Sequence, residues 1–277
     1  MSGDPLIQPD DLAELLRTDE PVVVDVRWRL TGPSGRTDYA NGHIPGAVFL
    51  DLDTDLCGPP GRRGRHPLPD PRHLEAVLRR IGLNDGDTVV VYDGGDAMAA
   101  SRAWWTLRWA GLDDVRVLDG GYPAWQAAGY PTTTTPAVPD VGDIVVRPGG
   151  MRVVDADGAR RLAEQGRLVD VRAPERYRGD VEPIDKVAGH IPGAINGPNL
   201  ELDDDGRFRD RVQLRQRYAD LGLPADQPVG AYCGSGVTAA RTVLGMTLAG
   251  YRPVLYVGSW SEWITDPRRE IRTGPTP

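Results

Sequence analysis

One six-residue motif occurs twice in this chain, and the segments around it also match. "GHIPGA" stands at residues 42–47 and again at residues 189–194. Each copy follows an apolar run that ends in Asp-Val-Arg, "PVVVDVR" in one half and "RLVDVR" in the other. Further on, "TVVVYDGGDAMAASR" corresponds to "QPVGAYCGSGVTAAR". A spacing of about 140 residues far exceeds the roughly 20 to 50 residues of a solenoid repeat. The sequence therefore predicts two copies of one domain.

Short β-branched runs alternate with helix-like stretches in both copies. "VVVDV", "TVVVY" and "PVLYV" are typical of strands, whereas "PDPRHLEAVLRRIG" and "GVTAARTVLGMTLAGY" have helical periodicity, with Gly250 as the expected stop. Uninterrupted apolar strands between helices indicate a mainly parallel sheet covered on both faces. We therefore expect an α/β fold with tandem domains at residues 1–130 and 151–277. The Thr-, Pro- and Gly-rich segment 131–150 is the predicted linker.

The composition limits the kinds of molecule that this chain is expected to bind. The net charge of -8 argues against nucleic acid or an anionic membrane as the main partner. No apolar run approaches the roughly 20 residues needed to span a bilayer. The two cysteines, Cys57 and Cys233, cannot form a disulfide framework, so we expect a reducing cytoplasm. Histidines and cysteines show no metal-ligand spacing, and we expect neither a metal nor a cofactor.

Cys233 stands where the run "VGAY" ends and a helix-like run begins. In open α/β sheets, ligands bind beyond the carboxyl ends of the strands. Gly234 and Gly236 allow the backbone to curl, which turns successive amide N–H groups inward as an anion-binding nest. Such a nest favours a thiolate, and Cys233 is therefore the candidate nucleophile. The predicted active-site loop comprises Gly234, Ser235, Gly236, Val237 and Thr238.

The first copy carries Asp93 where the second has Cys233. An aspartate is a poor replacement for a cysteine that serves only as core packing. The difference predicts one working copy and one chemically silent copy. We interpret His43 and His190 of the two "GHIPGA" motifs as turn-stabilising residues, since the motif also occurs in the silent copy. Cys57 lies in a Gly- and Pro-rich loop and is predicted to be a non-functional thiol.

The tandem halves, the two "GHIPGA" motifs and "CGSGVTA" together resemble the two-domain rhodanese family of sulfurtransferases. The resemblance covers nearly the whole chain. It implies that the C-terminal domain is catalytic and the N-terminal domain is not. An exposed Cys233 thiolate would take a sulfane sulfur from a small-molecule donor and become a persulfide. The acceptor would be a thiol, such as thioredoxin or a small thiol, or cyanide.

The uncharged loop "CGSGVT" resembles that of the 3-mercaptopyruvate sulfurtransferases, whereas members that use thiosulfate tend to carry cations after the cysteine. The resemblance also implies a proton relay of Ser235, His66 and Asp53. Arg176 matches an arginine that clamps the substrate carboxylate. A second substrate arginine is missing, because Ile184 stands in its place. Lys186 is a candidate substitute, and the departure leaves thiosulfate open as the donor.

Two other functions compete with this reading. Cysteine phosphatases need an arginine six positions after the cysteine, but Ala239 stands there and Arg241 comes two residues later. Without that guanidinium, a phosphoryl group loses its main charge partner. The second rival is a rhodanese-like sulfur-carrier or binding module that accepts a persulfide without turning over a small donor. This alternative stays open at the level of the sequence.

Overall fold

A computed structural model describes residues 3–198 and 200–277, and its contacts group into two units. The first unit runs to Gly58, continues over Leu68–Met151 and takes in Asp203–Phe208. The second unit contains Pro59–Pro67, Arg152–Leu202 and Arg209–Pro277. Each unit therefore includes a short segment from the other half of the sequence. The division into domains at 1–130 and 151–277, with a linker between, stays a prediction.

The first unit is a parallel five-stranded sheet flanked by helices. Its strands lie in the order β1-β5-β4-β2-β3. In chain order the elements are β1 (Leu6–Ile7), α1 (Pro9–Thr18), β2 (Val22–Asp25), α2 (Gly35–Asn41), β3 (Val48–Phe49), α3 (Pro71–Arg80), β4 (Val89–Tyr92), α4 (Met98–Trp109), β5 (Val115–Leu118) and α5 (Gly121–Ala127).

The second unit repeats this topology, with the strand order β6-β10-β9-β7-β8, again all parallel. Its elements are β6 (Val153–Val154), α6 (Ala156–Glu164), β7 (Leu168–Asp170), α7 (Pro174–Arg178), β8 (Ile195–Asn196), α8 (Arg211–Asp220), β9 (Pro228–Tyr232), α9 (Val237–Leu248), β10 (Arg252–Tyr256) and α10 (Ser259–Trp263). The predicted fold class, with a parallel sheet in each copy, is confirmed.

Local sequence signals place the helix ends. The Asp70 side chain accepts the amides of Arg72 and His73 at the start of α3, and Pro71 occupies the first turn. α9 ends before Gly250, which adopts a left-handed φ of 79° as expected of a helix stop. No described helix is long and apolar enough to cross a membrane.

A buried ion pair explains why Asp-Val-Arg occurs in both halves. Arg172 binds Asp170 at 2.6 Å and donates to the Gly189 carbonyl at 2.6 Å, which ties the end of β7 to the second "GHIPGA" turn. Arg27 does the same with Asp25 and the carbonyl at position 42. Each ion pair thereby joins the end of one strand to the turn that precedes the adjacent parallel strand.

Both motif histidines stabilise these turns, in agreement with the sequence prediction. His43 Nδ1 lies 2.8 Å from the Tyr39 carbonyl, and His190 Nδ1 lies 2.8 Å from the Tyr177 carbonyl. Each imidazole stacks on the ring of the same tyrosine. Burial lowers the pKa of His190, which favours the neutral ring. Neither histidine is placed as a catalytic base.

Replacing Asp170 with Asn should lower the free energy of unfolding of the second unit by about 3 kcal/mol, because the change leaves a buried cation without its main partner. Arg172 is 1% exposed and would keep the Gly189 carbonyl at 2.6 Å, but its remaining carboxylate partner would be Glu182 at 3.4 Å. Urea unfolding followed by tryptophan fluorescence suits the test, since the guanidinium lies 4.6 Å from the Trp260 ring. Asp266→Asn, which breaks an exposed pair with Arg268, is the control. Equal losses in both variants would contradict the assigned role.

Candidate active site

The loop from Cys233 to Gly236 joins β9 to α9. Gly236 adopts a left-handed φ of 81°, and its amide donates to Cys233 Sγ at 3.1 Å. The sulfur therefore lies inside the curve of the loop, at the N-terminal end of a twelve-residue helix. One amide of the predicted nest, that of Gly236, reaches the sulfur; the loop runs through Gly234, Ser235 and Gly236 into Val237 and Thr238, which begin the helix.

Cys233 is 3% exposed, so the prediction of an exposed thiolate is wrong for this conformation. Charged side chains crowd the adjacent residue, Gly234. A Cβ atom built on Gly234 would lie 3.2 Å from Arg65 Nη2, 3.6 Å from Arg176 Nη2 and 3.7 Å from Asp185 Oδ2. Three charged side chains thus lie close to Gly234, the residue that follows Cys233.

The first turn of α10 holds the loop from its other side. The Trp260 amide donates to the Cys233 carbonyl at 3.0 Å, and the Ser261 amide donates to the Gly234 carbonyl at 2.9 Å. In a planar trans peptide the N–H points opposite to the C=O. Anchoring these two carbonyls therefore turns the following amides, those of Gly234 and Ser235, away from α10.

Ser259 completes this anchor, and the sequence reasoning missed it. Its hydroxyl accepts from the Cys233 amide at 3.2 Å and donates to the Tyr256 carbonyl at 2.9 Å. It is fully buried and adopts φ 53°, a left-handed conformation that is strained for a residue other than glycine. The first copy has Gly121, with φ 59°, at the matching position. The sequence does contain a sign of this role: Ser259 in "VGSWSEW" stands where the first copy has a glycine, Gly121, in "LDGGYPAW".

His66 reaches the loop from the segment Pro59–Pro67, which belongs to the second unit. Gly61 and Gly64 pair through two backbone hydrogen bonds of 3.0 Å, and the Arg65 amide donates to Ser261 Oγ at 3.0 Å. This turn brings His66 Nδ1 to 2.7 Å from Ser235 Oγ, and both side chains are buried. The structure therefore brings together two members of the predicted relay.

Asp53, the third predicted member, is an exposed residue of the first unit. There its carboxylate accepts from Trp28 Nε1 at 3.0 Å. Its part in the relay stays a prediction.

Arg176 extends from α7 and binds two carboxylates. It holds Glu182 with two nitrogens, at 2.7 and 3.1 Å, and its Nη2 lies 3.2 Å from Asp185 Oδ2. Burial alone would raise the pKa of Glu182, but the hydrogen bonds from Arg176 lower it overall. Arg176 therefore lies beside the loop as expected, paired within the protein.

A cleft of about 630 Å³ adjoins these charged groups. The exposed Lys186 lines it beside Ile184, so the lysine and the residue that replaces the missing arginine share one wall. Other lining residues are Arg65, Val187, Ile264 and Thr265. No group of three or more His, Cys, Asp or Glu side chains in residues 3–198 and 200–277 is arranged to hold a metal ion.

The matching loop of the first copy contains a carboxyl group of its own. The Asp93 carboxylate accepts three amide hydrogen bonds, from Gly95 at 3.0 Å, Ala97 at 3.2 Å and Ala100 at 3.0 Å. Burial raises the pKa of Asp93 to about 7, and the three amides act in the opposite direction. Ala97, at φ 55°, takes the left-handed position that Gly236 has in the second copy. The scaffold of the loop persists while the nucleophile is absent.

Cys57 lies in the first unit, where it is buried with Arg102 Nη2 3.8 Å from its sulfur. Burial raises the pKa of the Cys57 thiol, which Arg102 only partly offsets. A neutral buried thiol is a poor nucleophile. This environment agrees with the prediction that Cys57 is non-functional.

Taken together, the fold and the loop define a tandem α/β protein with one cysteine in an amide-lined anion site. Comparison with known proteins makes the assignment specific. Residues 8–128 and residues 155–266 each match the rhodanese-like domain. The chain belongs to the rhodanese-like family.

Its relatives include named sulfurtransferases. It is 47% identical over 284 residues to a probable 3-mercaptopyruvate sulfurtransferase of Pseudomonas aeruginosa, covering 99% of this chain and 100% of that one. It is 44% identical over 280 residues to a putative thiosulfate sulfurtransferase, SseB, of Mycobacterium tuberculosis, covering 98% of each.

Two solved structures are also similar. SseA of Escherichia coli, described as a 3-mercaptopyruvate sulfotransferase, superposes with a TM-score of 0.82 at 31% identity, covering 94% of this chain and 100% of that one. An anaerobic ergothioneine biosynthesis enzyme of Chlorobium limicola gives 0.84 at 27% identity, covering 98% and 70%.

Replacing Ser259 with Gly should separate the positioning of Cys233 from stability. The change relieves the left-handed strain, which offsets the loss of two hydrogen bonds, so the midpoint of thermal unfolding should stay nearly constant. The rate constant kcat for sulfur transfer should fall about tenfold, because the Cys233 amide loses its partner. Steady-state kinetics and thermal unfolding measure the two effects. Ser34→Gly in the first unit is the control and should leave kcat unchanged. A kcat equal to that of the unaltered protein would exclude the role.

Proposed function

We propose that this protein is a sulfurtransferase that moves a sulfane sulfur from 3-mercaptopyruvate, through a persulfide on Cys233, to a thiol or to cyanide. The observation that carries the choice of donor is the 2.7 Å contact between His66 Nδ1 and Ser235 Oγ in the loop that holds Cys233. A hydroxyl and an imidazole in contact form a path for a proton. A donor that leaves as a carbanion equivalent requires such a path. The relatives named as 3-mercaptopyruvate sulfurtransferases support the same choice.

The proposed reaction has two half-reactions. The Cys233 thiolate attacks the donor sulfur, the new S–S bond forms, and the donor C–S bond breaks with its electron pair left on carbon as the pyruvate enolate. The proton from the donor thiol passes to that carbon and yields pyruvate. In the second half-reaction an acceptor thiolate or cyanide attacks the outer sulfur. The S–S bond to Cys233 breaks and the thiolate returns.

The loop amides stabilise the charge in both forms of the enzyme. The Gly236 N–H that donates to Sγ in the free enzyme is placed to donate to the persulfide as well. Ser235 and His66 transfer the proton, and Asp53 is assigned to this relay by the family resemblance alone. Arg176 binds the donor carboxylate, with Lys186 at the wall of the cleft.

Thiosulfate is the second candidate donor. It is favoured by Arg65, whose Nη2 lies close to Gly234 and supplies a cation that the loop sequence itself lacks. The relative from Mycobacterium tuberculosis is named for this donor. Thiosulfate releases sulfite and needs no proton on carbon. The contact between His66 and Ser235 therefore has no task in that reaction.

The acceptor is proposed more broadly than the donor. A small thiol, a protein thiol such as that of thioredoxin, or cyanide each meets the chemical requirement of a nucleophile that attacks the outer sulfur. A reducing cytoplasm, predicted from the two cysteines, belongs to the same proposal. Both cysteines are free thiols in the structure. A pure sulfur carrier would hold the persulfide without turning over the small donor.

Cys233→Ser should abolish formation of pyruvate from 3-mercaptopyruvate and of thiocyanate from thiosulfate and cyanide. Intact-protein mass spectrometry should show an increase of about 32 Da, one sulfur atom, after donor treatment of the unaltered protein and none in the variant. Cys57→Ser is the matched control and should retain the adduct and both activities. A persulfide on the Cys233→Ser variant would reject the assigned nucleophile. A persulfide without multiple turnover of either donor would favour the carrier.

Ser235→Ala should separate the two donors. With 3-mercaptopyruvate, kcat should fall at least a hundredfold, the lower end of what a positioned proton-transfer group contributes. With thiosulfate and cyanide, kcat should change much less, because no carbon is protonated. His73→Gln, which removes a histidine of the first unit whose Nε2 contacts the Thr54 carbonyl, is the control. An equal loss with both donors would mean that Ser235 shapes the loop rather than transferring a proton.

A further inference from the structure

We propose that Arg65 and Arg176 form a two-guanidinium clamp for the carboxylate of the sulfur donor, and that the side chain of Asp185 occupies this clamp in the resting protein. The inference rests on the proposed function and adds two residues to it. Arg65 becomes the second substrate arginine. Asp185 becomes an internal competitor of the donor.

The first observation is the position of Asp185 between the two guanidinium groups. Its Oδ1 accepts from Arg65 Nη1 at 2.8 Å, and its Oδ2 lies 3.2 Å from Arg176 Nη2. The Asp185 side chain is only 4% exposed. One carboxylate bridged by two guanidinium groups is also the arrangement that a bound carboxylate substrate would adopt.

The second observation is the place of this bridge over the catalytic loop. Nitrogens of both arginines and an oxygen of Asp185 lie within 4 Å of the position that a Cβ atom on Gly234 would take. Gly234 is the neighbour of Cys233. A three-carbon donor with its carboxylate in the place of the Asp185 carboxylate could therefore present its sulfur to Cys233.

The third observation is an unused donor on Arg65. Its Nε is buried and has no hydrogen-bond partner among residues 3–198 and 200–277. On a guanidinium group, Nε and Nη2 share the edge that binds a carboxylate with two parallel hydrogen bonds. Arg172 uses this edge on Asp170, and Arg176 uses it on Glu182. The bond from Arg65 to Asp185 uses Nη1 instead, so the resting pair leaves this edge unused, and a ligand carboxylate that displaces Asp185 and turns the guanidinium can form both bonds.

The fourth observation explains how Asp185 can leave without loss of the local fold. The amides of Ile184 and Asp185 both donate to Glu182 Oε1 at 3.1 Å. Glu182 also holds Arg176 with two hydrogen bonds. The turn and Arg176 thus stay in place when the Asp185 carboxylate moves aside. Arg65, on the segment Pro59–Pro67, thus takes the role of the family arginine that is missing at Ile184.

The experiment measures carboxylate binding without catalysis. Full-length protein carrying Cys233→Ser is titrated with pyruvate by isothermal calorimetry, alone and combined with Asp185→Asn or Arg65→Gln. Removing the internal competitor should tighten pyruvate binding by about tenfold, and removing the guanidinium should weaken it by about tenfold, as expected for one charge-assisted hydrogen bond. Asp180→Asn and Arg63→Gln, which remove charges from the same two segments, are the matched controls. Pyruvamide, which lacks the carboxylate, should not respond to either change.

Each outcome supports the clamp or rejects it. Weaker pyruvate binding in Asp185→Asn would show that Asp185 positions the arginines instead of competing with the ligand, and would overturn the inference. Unchanged binding in Arg65→Gln, or no binding of pyruvate to any variant, would also overturn it. A protein that fails to turn over 3-mercaptopyruvate but shows the expected binding pattern would refute the proposed donor and leave the clamp intact. Circular dichroism and thermal unfolding of every variant confirm that the fold is retained.

Discussion

The hydrogen bond from the α10 turn to the carbonyl of the loop residue is the contact on which the site depends. Trp260 donates to the Cys233 carbonyl at 3.0 Å, and in the first copy Tyr122 donates to the Asp93 carbonyl at 2.9 Å. The anchor holds the carbonyl of the loop residue towards the helix. Because the N–H of a trans peptide points opposite to its C=O, the amide of the next residue points away from the helix, into the loop. The same backbone thus serves two different side chains. In the proposed function the thiol in this position is the nucleophile, whereas the carboxylate of Asp93 itself fills the loop of the first copy.

A carboxylate of the protein itself occupies two places that suit an anion, the loop of the first copy and the pair Arg65 and Arg176. Asp93 fills the nest of the first copy, and Asp185 bridges the two arginines of the second. Buried donors without a partner destabilise a protein, so a site prepared for an anion is stabilised by an anion of its own. The two cases differ in how tightly the occupant is held. Asp93 accepts three backbone amides of its own loop, whereas the Asp185 carboxylate is bonded to the side chains of Arg65 and Arg176, which in the proposed clamp exchange it for a ligand.

The sequence was sufficient for the features that arise locally or by repetition. The parallel sheets follow from apolar runs such as Val89–Tyr92, and the nest follows from the glycines beside Cys233. The charged group beside Gly234 was not predictable, because it includes Arg65, a residue distant in the sequence. The strain at Ser259 was hidden for a related reason. Only the backbone shows that a serine occupies a left-handed position that suits glycine, and only the fold shows that its hydroxyl meets the Cys233 amide.

The segment Pro59–Pro67 also changes the charge near the loop that holds Cys233. The six-residue loop is uncharged, but this segment places a guanidinium beside it and a histidine against its serine. The local charges nearly balance, since Arg65 and Arg176 face Glu182 and Asp185. A donor with one carboxylate and a neutral thiol replaces Asp185 without changing that balance, whereas a dianion adds a second negative charge beside Glu182. Electrostatic complementarity therefore favours a monocarboxylate donor over thiosulfate, for a reason that the loop sequence alone does not contain.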